Sequence, residues 1–319
     1  MFDNLLDWIL RKLTRAADVY VESLPSMASN LGWFVVVVSA ALAIELMAIG
    51  WQSSSLKKIL KFSGSIRNDL FAIFLNVSSI GNYIAILMSF GLFYVALKAL
   101  RQYFGPDPML HIDNLWLAVI AFVVLSDFMM YWFHRLAHRW QAFWDVHAYH
   151  HSADEMTVIS GSREHPLFFP LSAFWLLVPM VLIARRPEVG GLFVFLFATR
   201  LHGLLIHSNI TSDWGWFGRW VVVSPAMHRM HHGQADAFHN TNFGSLLTLW
   251  DRIFGTWKGS SGIDIAAIKV GLADIPGGMA PWPYLMSTYT RFVRSLINAV
   301  RALVGRRLPT PSPSSTPSP

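Results

Sequence analysis

DFMMYWFHRLAHRWQAFWDVHAYHH, residues 127–151, sets His134 and His138 four apart and follows them with His147, His150 and His151 in an HxxHH cluster. A second HxxHH, His228, His231 and His232 in SPAMHRMHH, comes further along the chain. On a helix, positions i, i+3 and i+4 share a face. Each cluster is therefore expected to aim three imidazoles at one point, with His134 and His138 adding two more. These eight histidines exceed the four ligands of a tetrahedral zinc. They suit two metal ions sharing one nitrogen-rich pocket, so the expectation is a dinuclear centre.

The surrounding composition says what carries that centre. The chain has 319 residues, 54% of them hydrophobic and only 14% charged, with mean hydropathy +0.41. Soluble domains carry about a quarter charged residues, and here the apolar residues form long runs, so the chain reads as a mainly α-helical, multi-span membrane protein. With no cysteine, disulfides, thiolate ligands and iron–sulfur clusters within the chain are excluded. The net charge of +6 is read as setting orientation in a membrane, and no aromatic-basic alternation points to nucleic acid.

Residues 1–30 place Leu5, Leu6, Ile9, Leu10 and Leu13 at helical spacing near Arg11, Lys12 and Arg15, the pattern of an amphipathic segment on a bilayer surface rather than a secretory signal. Residues 31–110 are expected to hold the N-terminal spans. Gly32 to Gly50 would cover about 28 Å as a helix, with Glu45 inside it in an interfacial or interhelical role. Residues 69–100 are either one kinked span or a re-entrant pair, interrupted at Gly81-Asn82. A third span over 114–133 runs straight into His134. Apolar runs from Pro166 to Ala184 and from Gly190 to His207 follow, joined by a hairpin at Arg185-Arg186-Pro187-Glu188. Counted this way, every histidine cluster falls on one side of the membrane. That side also holds much of the Lys/Arg and is expected to be cytoplasmic, in a bacterial inner membrane or the endoplasmic reticulum. Residues 261–305 contain a basic amphipathic helix expected at the interface, and the Pro/Ser-rich tail 306–319 is expected to be disordered.

Imidazole ligands suit zinc, copper, iron and nickel. HRLAH, DVHAYHH, SPAMHRMHH and NFGSLLTLWDRIFGTW together resemble the fatty acid hydroxylase/sterol desaturase superfamily, over roughly residues 110–260. The resemblance makes 111–260 the catalytic domain. It implies a membrane protein with a cytosolic His-rich cap, whose two iron ions activate dioxygen to hydroxylate or desaturate acyl chains, sterols, sphingoid bases, alkylglycerols or ornithine lipids. It also implies that His134, His138, His147, His150, His151, His228, His231 and His232 are metal ligands and catalytic.

Members of the family supply further histidines just before the last cluster. His207, where the fifth apolar run ends, is the favoured candidate. His202, about one turn deeper, is a further candidate whose alternative is an interhelical hydrogen bond. His165 in SREHP is read as lining the site, and His111 and His239 as surface residues. Metal-bound histidines hand their second N–H to a carboxylate or carbonyl. Asp127, seven residues before His134 and nearly on the same helix face, is expected to orient a ligand, with Asn242, Asp145 and Asp251 as weaker candidates. Arg163 would orient a carboxylate or a lipid headgroup, or be solvated. Phe128, Met129, Trp132, Phe133, Phe168 and Phe169 would line an apolar access path or else form an ordinary aromatic core.

The preferred reading is an oxygen-dependent hydroxylase acting on a membrane lipid. A lipid or sterol desaturase is the close alternative, because the same oxidant can abstract a second hydrogen. A zinc hydrolase using metal hydroxide is a different class, and a haem or metal carrier another. The chain lacks a G-x-G-x-x-G fingerprint and a haem domain. Electrons would therefore come from an external donor, a ferredoxin or cytochrome b5-like protein with its reductase, docking on the basic face.

Overall fold

A computed structural model describes residues 28–29, 31–89, 91–104, 110, 112–183, 189–273, 275 and 278–303. Among them regular structure is helical, apart from isolated bridges such as Val222 to Leu247 and Gly233 to Val270. Nearly all of the expected surface segment 1–30, the Gly105–Pro108 break, His111, the 185–188 hairpin and the tail lie outside the described residues.

The first apolar run folds as α1, Leu31–Ser53, long and apolar enough to cross a membrane. Glu45 on α1 is fully buried. Its carboxylate accepts from the backbone N–H and hydroxyl of Ser55, both at 2.7 Å, and from the backbone N–H of Asn209 at 2.7 Å. The acidic group thus sits at the N-terminus of the short α2, Ser55–Leu60, where the helix dipole favours it, and ties α1 to the chain just after the fifth apolar run.

α3, Gly64–Val77, and α4, Ile80–Met88, are bent by 88°. The break falls at Ser78-Ser79 rather than at the expected Gly81-Asn82. Ser79 takes the left-handed φ of 58°, and the Ser78 hydroxyl donates to the Phe74 carbonyl at 2.6 Å, closing α3. Gly81 has another use: a Cβ there would stand 3.1 Å from the Leu75 carbonyl oxygen, so the glycine lets α4 start close against α3. α5 follows over Leu92–Phe104.

α6, Leu115–Arg139, is the second helix with the length and hydropathy of a span. Asn114 caps it by accepting from Leu117 N at 3.0 Å. One extended residue, Trp140 (φ −111°, ψ 119°), ends α6 and begins α7, Gln141–His151. That single turn folds α7 back beside the last turns of α6. The fourth and fifth apolar runs fold as α8, Phe168–Ile183, and α9, Val189–Ile206. By length and composition, two described helices meet the criteria for crossing a membrane, or three if the bent pair counts as one span.

The remaining chain packs over one end of these helices. It carries α10 (Gly215–Trp220), α11 (Pro225–His231) and α12 (Leu249–Ile253), then α13, Pro281–Leu303. The apolar stripe of α13 does not simply face a bilayer, as the sequence suggested. Tyr284, Leu285 and Phe292 are buried, the Tyr284 hydroxyl donates to the Ala148 carbonyl, and the Ser295 hydroxyl donates to Asp145 at 2.6 Å. A buried cluster of Phe133, Val146, Leu167, Leu171 and Phe292 joins α6, α7, α8 and α13. Ile297 and Val300, near the end of α13, stay exposed.

Candidate metal centre

Four pieces of backbone present the imidazoles. α6 offers His134 and His138; α7 offers His147, His150 and His151; α11 offers His228 and His231, with His232 as its C-cap residue; His207 directly follows α9. α11 is placed by its own sequence. Pro225 occupies its first turn and Ser224 caps it, accepting from Met227 N.

The nine histidines sort into two groups whose ligand atoms lie within 4.8 Å of one another. His134, His138, His147, His151 and His231 form one; His150, His207, His228 and His232 form the other. The expectation that each HxxHH aims three rings at one point is therefore corrected. On each helix the i and i+4 residues serve one group and the i+3 residue serves the other. At 100° per residue, i and i+4 are about 40° apart, whereas i+3 and i+4 diverge by about 100°. One ion cannot satisfy both, and two ions between α7 and α11 can.

Hydrogen bonds fix which nitrogen faces inward. His134 Nδ1 donates to the Phe243 carbonyl and His231 Nδ1 to the Thr241 carbonyl, both at 2.8 Å, and His207 Nδ1 donates to Gly203 O at 2.7 Å. The Nε2 atoms of His134, His138, His147, His151 and His231 are buried with no hydrogen-bond partner. In the second group, His207 Nε2 stands 3.2 Å from His150 Nε2 and 2.9 Å from His228 Nε2, and His232 Nε2 stands 3.2 Å from His228 Nε2.

Burial pushes His147, His150, His151, His228, His231 and His232 well below the ordinary imidazole range, and neighbouring imidazoles add to the effect. Neutral rings with Nδ1–H turned outward confront one another through lone pairs, which repel unless a cation lies between them. Nitrogens about 2.0–2.1 Å from one tetrahedral ion stand roughly 3.3 Å apart, close to the separations seen here. This donor set fits a metal ion in each group.

The other candidates are placed as follows. His202 joins neither group; its Nε2 donates to the Val223 carbonyl at 2.8 Å. His165 is fully buried, its Nδ1 accepting from Leu167 N near the start of α8. His239 is at the surface beside Asp236. Asp127 orients no histidine, contrary to expectation. Its carboxylate accepts from Leu246 N, Leu247 N and Trp250 Nε1 at 2.9, 3.0 and 3.0 Å, and so anchors the 246–250 segment. Asn242 touches no imidazole either. It takes a left-handed φ of 55°, donates to the Lys258 carbonyl and accepts from Lys258 N. It thereby stiffens the turn whose Thr241 and Phe243 carbonyls orient His231 and His134. Asp251, a weaker candidate in the sequence, holds that turn by accepting from Phe243 N at 2.8 Å and Gly244 N at 2.7 Å. Asp145 binds Gln141 and Ser295 instead of a ligand.

Arg163 is fully buried, not solvated. Its guanidinium pairs with Asp69 of α3 at 2.6 Å and donates to Ser65 and Ser152, while its carbonyl accepts from His150 Nδ1 at 3.3 Å. Sequence reasoning missed Glu164, whose Oε1 lies 3.4 Å from His150 Nδ1. Burial pushes this carboxyl up to about 8 against the pull of Arg200. It lies off any helix, so no periodicity flagged it.

A cavity of about 440 Å³ opens onto His134, His147, His150, His207 and His228. Its walls include Phe122, Val123, Met130, Phe168, Leu176 and Ile206. Of the aromatic residues expected there, Phe168 is present. Phe128 packs on Trp250, Trp132 on Phe254, and Phe133 on Phe143 and Phe168, so these make an aromatic core.

Comparison with known proteins agrees with the site. The fatty acid hydroxylase family model matches residues 119–256. The chain is 33% identical over 140 residues to ornithine lipid hydroxylase OlsE of Rhizobium tropici, covering 44% of this chain and 41% of that protein. It is 30% identical over 146 residues to alkylglycerol monooxygenase of Homo sapiens, covering 46% and 32%. It is 29% identical over 143 residues to a probable Delta(7)-sterol 5(6)-desaturase of Neurospora crassa, covering 44% and 38%. The chain thus spans less than half the length of these relatives, and no solved structure is a significant match. The stretch that the fatty acid hydroxylase family model matches, residues 119–256, holds all nine clustered imidazoles.

Proposed function

We propose that this protein is a membrane-embedded, oxygen-dependent lipid hydroxylase whose two histidine groups each hold an iron ion. The observation that carries the reading is the pair of buried, all-nitrogen donor sets side by side at the floor of an apolar cavity. A bound iron pair would supply the reductive activation of dioxygen needed to attack an unactivated C–H bond. The protein's own part is to hold the imidazoles, four of them by an N–H bound to a backbone carbonyl, to present the lipid through apolar walls, and to keep water from the reacting carbon. His134, His138, His147, His151 and His231 would ligate one ion, and His150, His207, His228 and His232 the other.

The relatives' names include two lipid hydroxylases and a sterol desaturase. Removal of two hydrogens at the same site is therefore the second reading. Electrons would reach the site from a ferredoxin or cytochrome b5-like donor with its reductase, on the cytoplasmic face of a multi-pass protein.

Comparative lipid mass spectrometry tests this, using a host that makes the protein or its His150→Ala variant. The expected result is a lipid one oxygen atom heavier that requires dioxygen and is absent with the variant. A product two hydrogens lighter would select the desaturase. No variant-dependent lipid change across several hosts, with zinc rather than iron in the purified protein, would overturn both.

A further inference from the structure

Arg200 is the single charged residue of α9, VGGLFVFLFATRLHGLLI. An arginine on so apolar a helix is costly unless something compensates it. Its side chain is exposed, lines the cavity, and makes no hydrogen bond or ion pair among the described residues. Glu164, also on the cavity wall, makes no hydrogen bond or ion pair with Arg200 and stands with its Oε1 3.4 Å from His150 Nδ1. Arg200 stands seven residues before His207. Seven residues are about 700° of helix, so both lie on nearly one face, about 10 Å apart along the axis. Arg200 therefore stands on the wall of an apolar cavity two turns from the metal-ligand candidates, with its donors uncommitted.

We propose that Arg200 binds an oxyanion, carboxylate or phosphate, in the headgroup of the lipid substrate. This rests on the lipid-oxidation reading above and narrows its substrate to anionic or zwitterionic lipids. A planar guanidinium matches either oxyanion through paired N–H donors. Anchoring the head there holds the reacting carbon in the head-proximal part of the lipid, because the anchor and the imidazoles are only about 10 Å apart along α9.

The test is equilibrium binding of four probes to the purified, metal-loaded protein in neutral detergent: oleate, 1-oleoyl lysophosphatidate, oleyl alcohol and monoolein. Wild type is expected to bind at least one oxyanion probe about tenfold tighter than the neutral pair, a preference worth about 1.4 kcal/mol. Preference for oleate alone identifies a carboxylate site, and preference for lysophosphatidate alone a phosphate site. Arg200→Gln should bring the ratio to about one while leaving metal content and affinity for oleyl alcohol as in wild type, and Arg200→Lys should keep part of the preference. A preference that survives Arg200→Gln, or wild type binding all four probes alike, overturns the assignment to Arg200 but not the lipid reading. Wild type binding none of the four overturns both.

Discussion

The His207 ring has a glycine against its flank. A Cβ on Gly161 would stand 2.9 Å from His207 Nδ1, 3.1 Å from its Cγ and 3.3 Å from Gly203 O, the acceptor that orients the ring. Gly161→Ala must therefore turn His207 or break its bond to Gly203. It should weaken the metal of the His150 group by about 10–100-fold, the usual loss when an orienting contact is disturbed. The other group, which shares no ligand with it, should keep its ion. Metal analysis by mass spectrometry should find close to one equivalent less than in wild type, and His202→Ala should lose none. Retention of both ions by Gly161→Ala would remove His207 from the ligand set.

His207 was favoured over His202 in LHGLLIHSN because it ends the apolar run, but spacing says which residues share a face, not that the Val223 carbonyl lies beside His202. The same limit misled the reading of Asp127. Its helical phase does match His134, but three donors from the 246–250 segment reach its carboxylate first.

At the scale of elements, α3 and the histidine-bearing α7 are joined through Arg163 and Asp69. Both side chains are fully buried and 2.6 Å apart, and the Arg163 carbonyl accepts from His150 Nδ1. Removing one partner leaves the other charge buried and alone, whereas removing both leaves none. Asp69→Asn should therefore cost about 3–5 kcal/mol, and an Asp69→Leu, Arg163→Met pair much less. Thermal unfolding in detergent would separate them, and equal losses would show that packing rather than charge sets the cost. The helices themselves were legible: runs beginning at Gly32, at residue 114, at Pro166 and at Gly190 fold as α1, α6, α8 and α9. The α3–α4 bend was displaced because a left-handed serine, rather than the glycine beside it, makes the turn. The partner of α13 was not legible either, since an amphipathic stripe shows that a face is covered but not by what.

On the scale of the whole molecule, helix ends decide topology. The C-terminal ends of α1, α6 and α9 meet at one end of the molecule: Asn209 donates to Ser53 O, and His134, His138 and His207 converge on the imidazole groups. At the other end, Leu110 N donates to Leu182 O near the end of α8. α3 stays beside the histidine end, held by Arg163 and by Asn68 donating to Met279 O. The chain must therefore pass from that end to the start of α6 through α4 and α5, whatever the bend at Ser78-Ser79.

With no native cysteine, single-cysteine labelling can read this directly. Asp236 and Lys61, both exposed at the histidine end, and Asp113, exposed just before α6, are suitable positions. In sealed vesicles an impermeant maleimide should reach Asp236→Cys and Lys61→Cys from one side only, and Asp113→Cys only from the other. On the proposed reading the first side is the cytoplasm, where a soluble reductant would reach the site. Labelling of Asp113→Cys and Asp236→Cys from the same side would mean that α6 does not cross. Opposite-side labelling with Asp236→Cys facing outward would keep the fold but cut the site off from cytoplasmic electrons, and the hydroxylase reading would then need a donor on the outer face.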